Sequence, residues 1–192
     1  YKEDSKKNLL DLIDSAGIAR TEVFAGDYLD EPQITIISPT RDFYESLLPK
    51  FRNKLNFHWA LEALEENSYS SKDDISDETT LSKTLDDATD DTSAHNQSSI
   101  VFLLETDEKQ KFLFTGDAGR DAFNHVPQTL LGKVKDVTWM KVPHHGSKHN
   151  LDSTIIKHVN PEIAYISTEK QGKYLNRSTV FALKKNGTKV YS

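Results

Sequence analysis

The chain of 192 residues contains no cysteine and only one methionine, Met140. The absence of cysteine excludes disulfides, thiolate metal ligands and cysteine nucleophiles, so histidines and carboxylates are the strong metal ligands that remain. Because there is no apolar run of about 18 residues and no secretory leader pattern, we expect no membrane contact from this segment and a cytoplasmic location. The chain begins at Tyr1, in a polar segment, and we expect it to be part of a longer polypeptide whose upstream part is missing.

The net charge of −6 is unevenly distributed along the chain. Residues 62–96 hold eleven acidic and two basic side chains, whereas residues 133–192 hold eleven basic and four acidic ones. A basic C-terminal third favours an anionic substrate such as nucleic acid, while the acidic tract repels polyanions. The alternative interpretation is a solvated acidic segment beside ordinary surface lysines.

Apolar segments with the periods of strands and helices alternate along the chain, which predicts an α/β fold: a mixed sheet flanked by helices. Helices are predicted over residues 5–16, 41–66, 119–131, 153–158 and 178–185. Strands are predicted over residues 21–25, 33–38, 98–105, 111–115, 134–142, 163–167 and 188–191.

Residues 67–96 have no sustained hydrophobic period and are rich in serine, threonine and aspartate. Such a composition does not bury enough apolar surface to offset the entropy of ordering. We therefore predict a flexible acidic insertion over 67–96, and residues 1–192 are predicted to be the C-terminal part of a single domain.

Two short motifs carry candidate chemistry, and each follows a predicted strand: Thr115–Ala118 (TGDA) and Val142–Ser147 (VPHHGS). Ligands and catalytic groups collect at the carboxyl ends of strands in α/β folds. A carboxylate such as Asp117 can bridge two divalent cations, and a neutral imidazole supplies a directional nitrogen ligand. The structural alternatives are a helix N-cap for Asp117 and hydrogen-bonded structural histidines.

Taken together and in this order, the motifs resemble the C-terminal half of metallo-β-lactamase-fold domains, in particular the ComEC-like branch. An Asn-x-x-Ser-type motif opens a strand at Asn96–Ser99, and a Pro-x-x-Ala-x-Ile-Ser strand matches Pro161–Ser167. The resemblance covers most of the chain outside residues 41–95. It implies half of a metallo-β-lactamase αββα sandwich.

The resemblance also implies a metal-dependent hydrolase with two divalent metal ions, zinc in the first place and manganese as the alternative. Asp117 matches the metal-bridging carboxylate. One of His144 and His145 matches the late histidine ligand, and the sequence leaves open which of the two it is.

The same resemblance implies polar residues around the site. Asn96 and Ser98 occupy the place where many relatives carry another histidine, and the ComEC-like branch is already polar there. Ser147 and Lys148 lie beside the histidines, where they are candidates for contact with an anionic substrate.

Two departures from the family pattern limit what this chain does alone. The hallmark His-x-[His/Asp]-x-Asp-His cluster, which lies in the N-terminal half of the family's domain, is absent, and Tyr174–Ser178 stands where relatives often carry Gly-His-Pro. The resemblance thus implies an incomplete metal site, a missing N-terminal half of the same domain as partner, an inactive isolated chain and an exposed apolar sheet face.

Three functional interpretations remain open at this stage. The first is a hydrolase of phosphodiester or nucleic acid substrates in the intact protein. The second is a degenerate domain of the same fold that serves binding or scaffolding, and the third is an unrelated α/β domain whose Asp117 and histidines are structural. The other histidines in helical or irregular segments are interpreted as structural or left without a role: His58, His95, His125 and His158.

Overall fold

The computed structural model of the chain describes residues 9–52, 78–168 and 174–192. It contains a seven-stranded mixed sheet flanked by helices, which confirms the predicted α/β fold class. The strands are β1 (Tyr28–Leu29), β2 (Ile34–Ser38), β3 (Val101–Glu105), β4 (Lys111–Phe114), β5 (Trp139–Lys141), β6 (Ile163–Tyr165) and β7 (Lys189–Tyr191).

The strands lie in the sheet in the order in which they occur in the chain. Neighbours from β1 to β4 are antiparallel, and neighbours from β4 to β7 are parallel. A short turn suffices for an antiparallel pair, as between Thr106 and Gln110, where the two backbones bond at 3.0 Å. A parallel pair needs a longer crossover, and helices supply it after β4.

The helices are short, and several begin at a capping side chain. Asp152, for example, accepts a hydrogen bond from the backbone N–H of Ile155 at 2.7 Å, which satisfies one of the unpaired donors of a helix start. The helices are α1 (Leu9–Ser15), α2 (Arg41–Arg52), α3 (Glu78–Asp86), α4 (Ala94–Gln97), α5 (Arg120–Asn124), α6 (Gln128–Leu131), α7 (Ser153–Val159) and α8 (Arg177–Lys185), with a 3₁₀ turn over Pro143–Gly146. None of the helices in this described part has the length and apolar character that crossing a bilayer requires.

The core lies on one face of the sheet. Leu103, Leu113, Met140 and Ala164 are paired in register across β3 to β6, and all four are fully buried. Apolar side chains of the helices complete this cluster: Phe43, Leu47, Leu85, Phe123, Leu130, Ile155, Ile156, Val159 and Leu183. Burial of this surface supplies the main stabilisation of the sheet–helix packing.

The opposite face of the sheet is aromatic. The rings of Phe102 and Phe114 stack with their centroids 4.7 Å apart, and those of Trp139 and Tyr165 stack at 6.2 Å. Tyr165 is 42% exposed and Tyr191, its neighbour on β7, is 54% exposed. Phe102, Phe114 and Trp139 on the same face are half-buried.

Several element boundaries differ from prediction. The strand predicted over 21–25 is wrong, because Phe24 to Asp27 form a turn in which the Asp27 carboxylate accepts from the Phe24 backbone N–H at 2.8 Å. The helix predicted over 119–131 divides into α5 and α6, with Pro127 at the junction. The strand predicted from Val134 begins only at Trp139.

The flexible insertion predicted over 67–96 is wrong from residue 78 onward, while residues 67–77 lie outside the described residues. Residues 78–86 form α3, and residues 94–97 form α4. Leu85 and Ala94 are buried in the core, so a few apolar side chains help to anchor a segment whose composition is otherwise that of a solvated loop.

Candidate functional site

The two motifs meet at one edge of the sheet. Asp117 follows β4 and the His144–His145 pair follows β5, and these strands are parallel neighbours. The backbone N–H of His144 donates to the carbonyl of Gly116 at 3.3 Å, which ties the two strand ends together. The parallel pairing therefore brings the predicted site residues to the same end of the sheet.

The histidine turn has an uncommon backbone. His144, His145 and Gly146 all have positive φ values, at 43°, 54° and 86°. A Cβ on Gly146 would lie 3.1 Å from Leu175 Cδ1 and 3.2 Å from Ile166 Cγ2. Glycine is thus needed at this position both for its conformation and for its close approach to the core.

His144 lies in a polar cluster with Asp91 and Asn150. Its Nδ1 is 3.4 Å from Asp91 Oδ2 and 3.3 Å from Asn150 Oδ1. Asn150 is completely buried, and its Nδ2 also donates to the carbonyl of Asp117 at 3.1 Å. Asn150 therefore links the carboxylate end of β4 to the histidine turn.

Asp91 is held by donors on three sides. Its carboxylate accepts from the backbone N–H of Ser93 at 2.8 Å, from Asn96 Nδ2 at 2.8 Å and from Asn150 Nδ2 at 3.0 Å. Burial raises the pKa of Asp91, but the hydrogen bonds that its carboxylate accepts lower it more, so the net pKa lies below its ordinary value. Asp91 is consequently ionised at neutral pH.

The negative charges around His144 favour its protonated form. Burial lowers the pKa of His144, whereas the hydrogen bond to Asp91 and the charges of Asp91 and Asp117 raise it, and the net pKa lies above the ordinary imidazole value. The site is therefore electrostatically arranged to attract positive charge at His144.

His145 is oriented by a different partner. Its Nδ1 bonds to the backbone carbonyl of Ser167, at the end of β6. Tyr174 covers both rings, with centroid separations of 4.5 Å to His144 and 5.9 Å to His145. Both histidines thus use Nδ1 for a contact inside the protein, and within the described residues neither Nε2 has a protein partner.

Lys141 brings a positive charge to Asp117. Its Nζ donates to the carbonyl of Gly116 at 2.8 Å and lies 3.8 Å from Asp117 Oδ1. Burial lowers the pKa of Lys141 more than the charge of Asp117 raises it, so the net pKa lies below that of an ordinary lysine.

Three of the four residues predicted to contact substrate have hydrogen-bond partners in different parts of the structure. Asn96 belongs to the Asp91 cluster. Ser98 Oγ donates back to the carbonyl of His95 at 2.8 Å, and the buried Ser147 accepts from the backbone N–H of His149 at 3.2 Å. Contact of Ser147 with a substrate stays a prediction; in the structure its hydroxyl bonds within the loop.

A buried arginine connects the acidic segment to the loop after the histidines. The Arg120 guanidinium donates to four backbone carbonyls, and its Nη1 forms an ion pair with Asp90 Oδ1 at 3.0 Å. The four carbonyls belong to Leu85, Ala88, Lys148 and Leu151. Four of the five guanidinium N–H groups therefore bond to backbone carbonyls.

Gln97 plays a similar connecting role and is almost completely buried. Its side-chain N–H donates to the carbonyl of Asp91, and its Oε1 accepts from the backbone N–H of Ala122 at 3.0 Å. The amide thus fastens the start of α5 to the segment that carries Asp91. Gly119 allows this close contact, because a Cβ there would lie 2.1 Å from Gln97 Nε2.

Replacing Gly119 with alanine is expected to lower the free energy of unfolding by about 1–3 kcal/mol, since the methyl group overlaps the Gln97 amide. Equilibrium urea denaturation measures this change. Gly132→Ala is the matched control, because nothing lies within 4 Å of a Cβ at that position and its φ is −63°. Equal stability of the two variants would contradict the role of the Gly119–Gln97 contact.

Three further histidines in the described residues have contacts of a structural kind. His125 stacks on Phe43 at 4.1 Å, His158 Nε2 lies 3.0 Å from the carbonyl of Leu131, and His95 packs edge-on to Phe51 at 4.7 Å. His58 lies outside the described residues.

Sequence reasoning missed Asp91, Asn150, Lys141 and Arg120. The sequence signal for Lys141 and Asn150 was their position on either side of the histidine motif, while Asp91 and Arg120 had no motif of their own. Within residues 9–52, 78–168 and 174–192, no group of three or more histidine, aspartate or glutamate side chains is arranged to hold a metal ion.

Comparison with known proteins gives one limited similarity. No family model matches the chain. The chain is 32% identical over 84 residues to ComE operon protein 3 of Bacillus subtilis (strain 168), and the aligned part is 44% of this chain and 10% of that protein. The chain thus spans about a tenth of the length of the curated relative that it matches, and this limited similarity to ComE operon protein 3 is what the comparison establishes.

Proposed function

We propose that the intact protein is a metal-dependent hydrolase of the metallo-β-lactamase superfamily, close to its ComEC-like branch, and that this chain contributes Asp117, His144 and His145 to the site. The observation that carries the proposal is the position of these residues at the adjoining ends of β4 and β5, with both imidazoles bonded through Nδ1. A protein contact at Nδ1 fixes the ring and leaves Nε2 as the ligand nitrogen, which is the usual arrangement of a metal-binding histidine.

The residues described here do not complete such a site by themselves. No three of them are arranged around one ion position in the described ranges, and a catalytic zinc ordinarily has three protein ligands. The proposal therefore requires further ligands from polypeptide outside this chain, zinc or manganese being the metal.

The aromatic face of the sheet supports the same proposal. Phe102, Phe114 and Trp139 form a contiguous apolar surface opposite the core. Two sheets that pack face to face bury such surfaces against each other. We propose that the N-terminal half of the domain covers this face.

The substrate class follows from charge. The excess of seven basic residues over 133–192 favours a polyanion, and a phosphodiester such as nucleic acid is the proposed substrate.

Lys141 favours a second candidate function, a degenerate domain that binds without catalysis. Its ammonium group, 3.8 Å from Asp117 Oδ1, supplies a positive charge at the carboxylate without a metal ion. Such a domain would still present the basic C-terminal third to a polyanionic partner.

The test is a hydrolysis assay of the intact protein that contains this chain. The protein is stripped with a chelator and then assayed on bis(4-nitrophenyl) phosphate and on single-stranded DNA, with zinc or manganese added back. We expect hydrolysis that disappears on chelation and returns with metal. DNA binding with no hydrolysis under any of these conditions would replace the hydrolase with the binding domain.

The isolated 192-residue chain is expected to bind zinc weakly and to show no turnover, because its ligand set is incomplete. Isothermal titration calorimetry with zinc and the same hydrolysis assays measure both properties. Zinc affinity of about micromolar or better, together with turnover by this chain alone, would contradict the expectation.

A further inference from the structure

Nδ1 of His144 faces two acceptors, Asp91 Oδ2 at 3.4 Å and Asn150 Oδ1 at 3.3 Å. The orientation of the Asn150 amide follows from its own partners, since its Nδ2 donates to Asp91 Oδ2 and to the carbonyls of Asp117 and Ala118. A nitrogen between two acceptors must carry the hydrogen.

Asp91 is suited to hold this arrangement. Its side chain is only 10% exposed, and its position is fixed by Ser93 and Asn96 from its own segment and by Asn150 from the loop after the histidines. Arg120 and Gln97 fasten the same segment to the start of α5. The carboxylate is therefore held in place independently of His144.

We propose that Asp91 is a positioning residue, which together with Asn150 holds His144 in the Nδ1–H tautomer and leaves Nε2 as the lone-pair nitrogen of the ring. Asp91 lies outside both motifs, in the acidic tract. The proposal deepens the proposed function. It rests on that function only for the role of Nε2 as the nitrogen that binds metal.

The tautomer is measured directly by long-range ¹H–¹⁵N correlation spectra of the histidine rings. The protein is labelled with ¹⁵N at its histidines and studied at about pH 9, well above the ordinary imidazole pKa of about 6.5. The His144 signals are assigned by their absence in His144→Gln. We expect a pyrrole-type Nδ1 and a pyridine-type Nε2 in the wild type.

Asp91→Asn is the decisive variant. The carboxylate accepts at both oxygens, from Ser93 at Oδ1 and from Asn96 and Asn150 at Oδ2. An amide keeps only one acceptor oxygen and removes the negative charge beside His144, so the preference for a hydrogen on Nδ1 is weakened. We expect the fraction of the Nδ1–H form to fall below that of the wild type. Asp87→Asn is the matched control: it removes the same charge from an exposed position in the same segment, and the wild-type tautomer is expected to persist.

An Nε2–H tautomer in the wild type would overturn the proposal. The wild-type spectrum alone gives this test, so the test does not depend on whether Asp91→Asn folds. An Asp91→Asn spectrum identical to that of Asp87→Asn would overturn it as well. In the intact protein, Asp91→Asn is expected to lower metal-dependent hydrolysis roughly 10–100-fold, the range found for partners that orient a metal-binding histidine. If hydrolysis is absent from the wild type but the tautomers behave as expected, the proposed function fails and the positioning role stands.

Discussion

Replacing Arg120 with methionine is expected to lower the free energy of unfolding by about 3–5 kcal/mol. The guanidinium is 8% exposed and bonds to four backbone carbonyls from two separate segments. Methionine fills a similar volume but leaves those carbonyls without their donors, and a buried acceptor without a partner costs about 1–3 kcal/mol. Asp90 contributes less, because its side chain is 46% exposed and solvent screens the pair. Equilibrium urea denaturation measures the loss.

Arg177→Met is the control for this prediction, since Arg177 is exposed at the start of α8. Its effect is expected to stay within about 0.5 kcal/mol. Arg120→Lys keeps the charge but has three donors in place of five, so its stability should lie between those of the wild type and Arg120→Met. An Arg120→Met protein as stable as the control would show that water replaces the guanidinium at no cost.

Asp117→Asn is expected to reduce metal-dependent hydrolysis by the intact protein at least about 100-fold, beyond the usual effect of losing a partner that only orients a ligand. The Asp117 side chain is 42% exposed at the end of β4, so the substitution changes the charge of the site with little change in packing. The turnover rate on bis(4-nitrophenyl) phosphate, at saturating zinc or manganese, is the measurement.

Asp121→Asn controls for the loss of one negative charge near the same strand end. Asp121 is exposed in the first turn of α5, and within the described residues its carboxylate lies in neither the Asp91 cluster nor the Lys141 contact. Its activity is expected to equal that of the wild type. Wild-type activity in Asp117→Asn would show that Asp117 is not needed for hydrolysis. This conclusion would hold independently of the roles proposed for His144 and His145.

The sequence allowed the sheet to be predicted well because its strands are dense and apolar. The segment 163–167 contains β6, and 111–115 contains β4, since buried strands show as short apolar runs between turn residues. Strand ends were less well predicted. The run from Val134 is apolar because Val134 and Val137 are buried in the connection before β5, and burial outside a strand produces the same pattern as burial within one.

The candidate site was predictable only as far as its motifs extend. Asp117, His144 and His145 stand in short recognisable patterns, whereas Asp91 stands among ten other acidic residues of its tract. Composition averages over that tract and therefore predicts a solvated loop. What distinguishes Asp91 is a set of donors that approach it from Ser93, Asn96 and Asn150, and Asn150 lies 59 residues away in the chain.

The backbone of the histidine turn bears on how this protein can change through mutation. His144 and His145 occupy left-handed conformations, which cost a non-glycine residue about 1–2 kcal/mol. Glycine and asparagine adopt such conformations more readily, so mutational drift in a lineage without selection on the site would favour them at both positions. If natural variants keep histidine at both positions, selection acts on the imidazole group itself. Retention of these two histidines would therefore say more about function than retention of any residue in the sheet core.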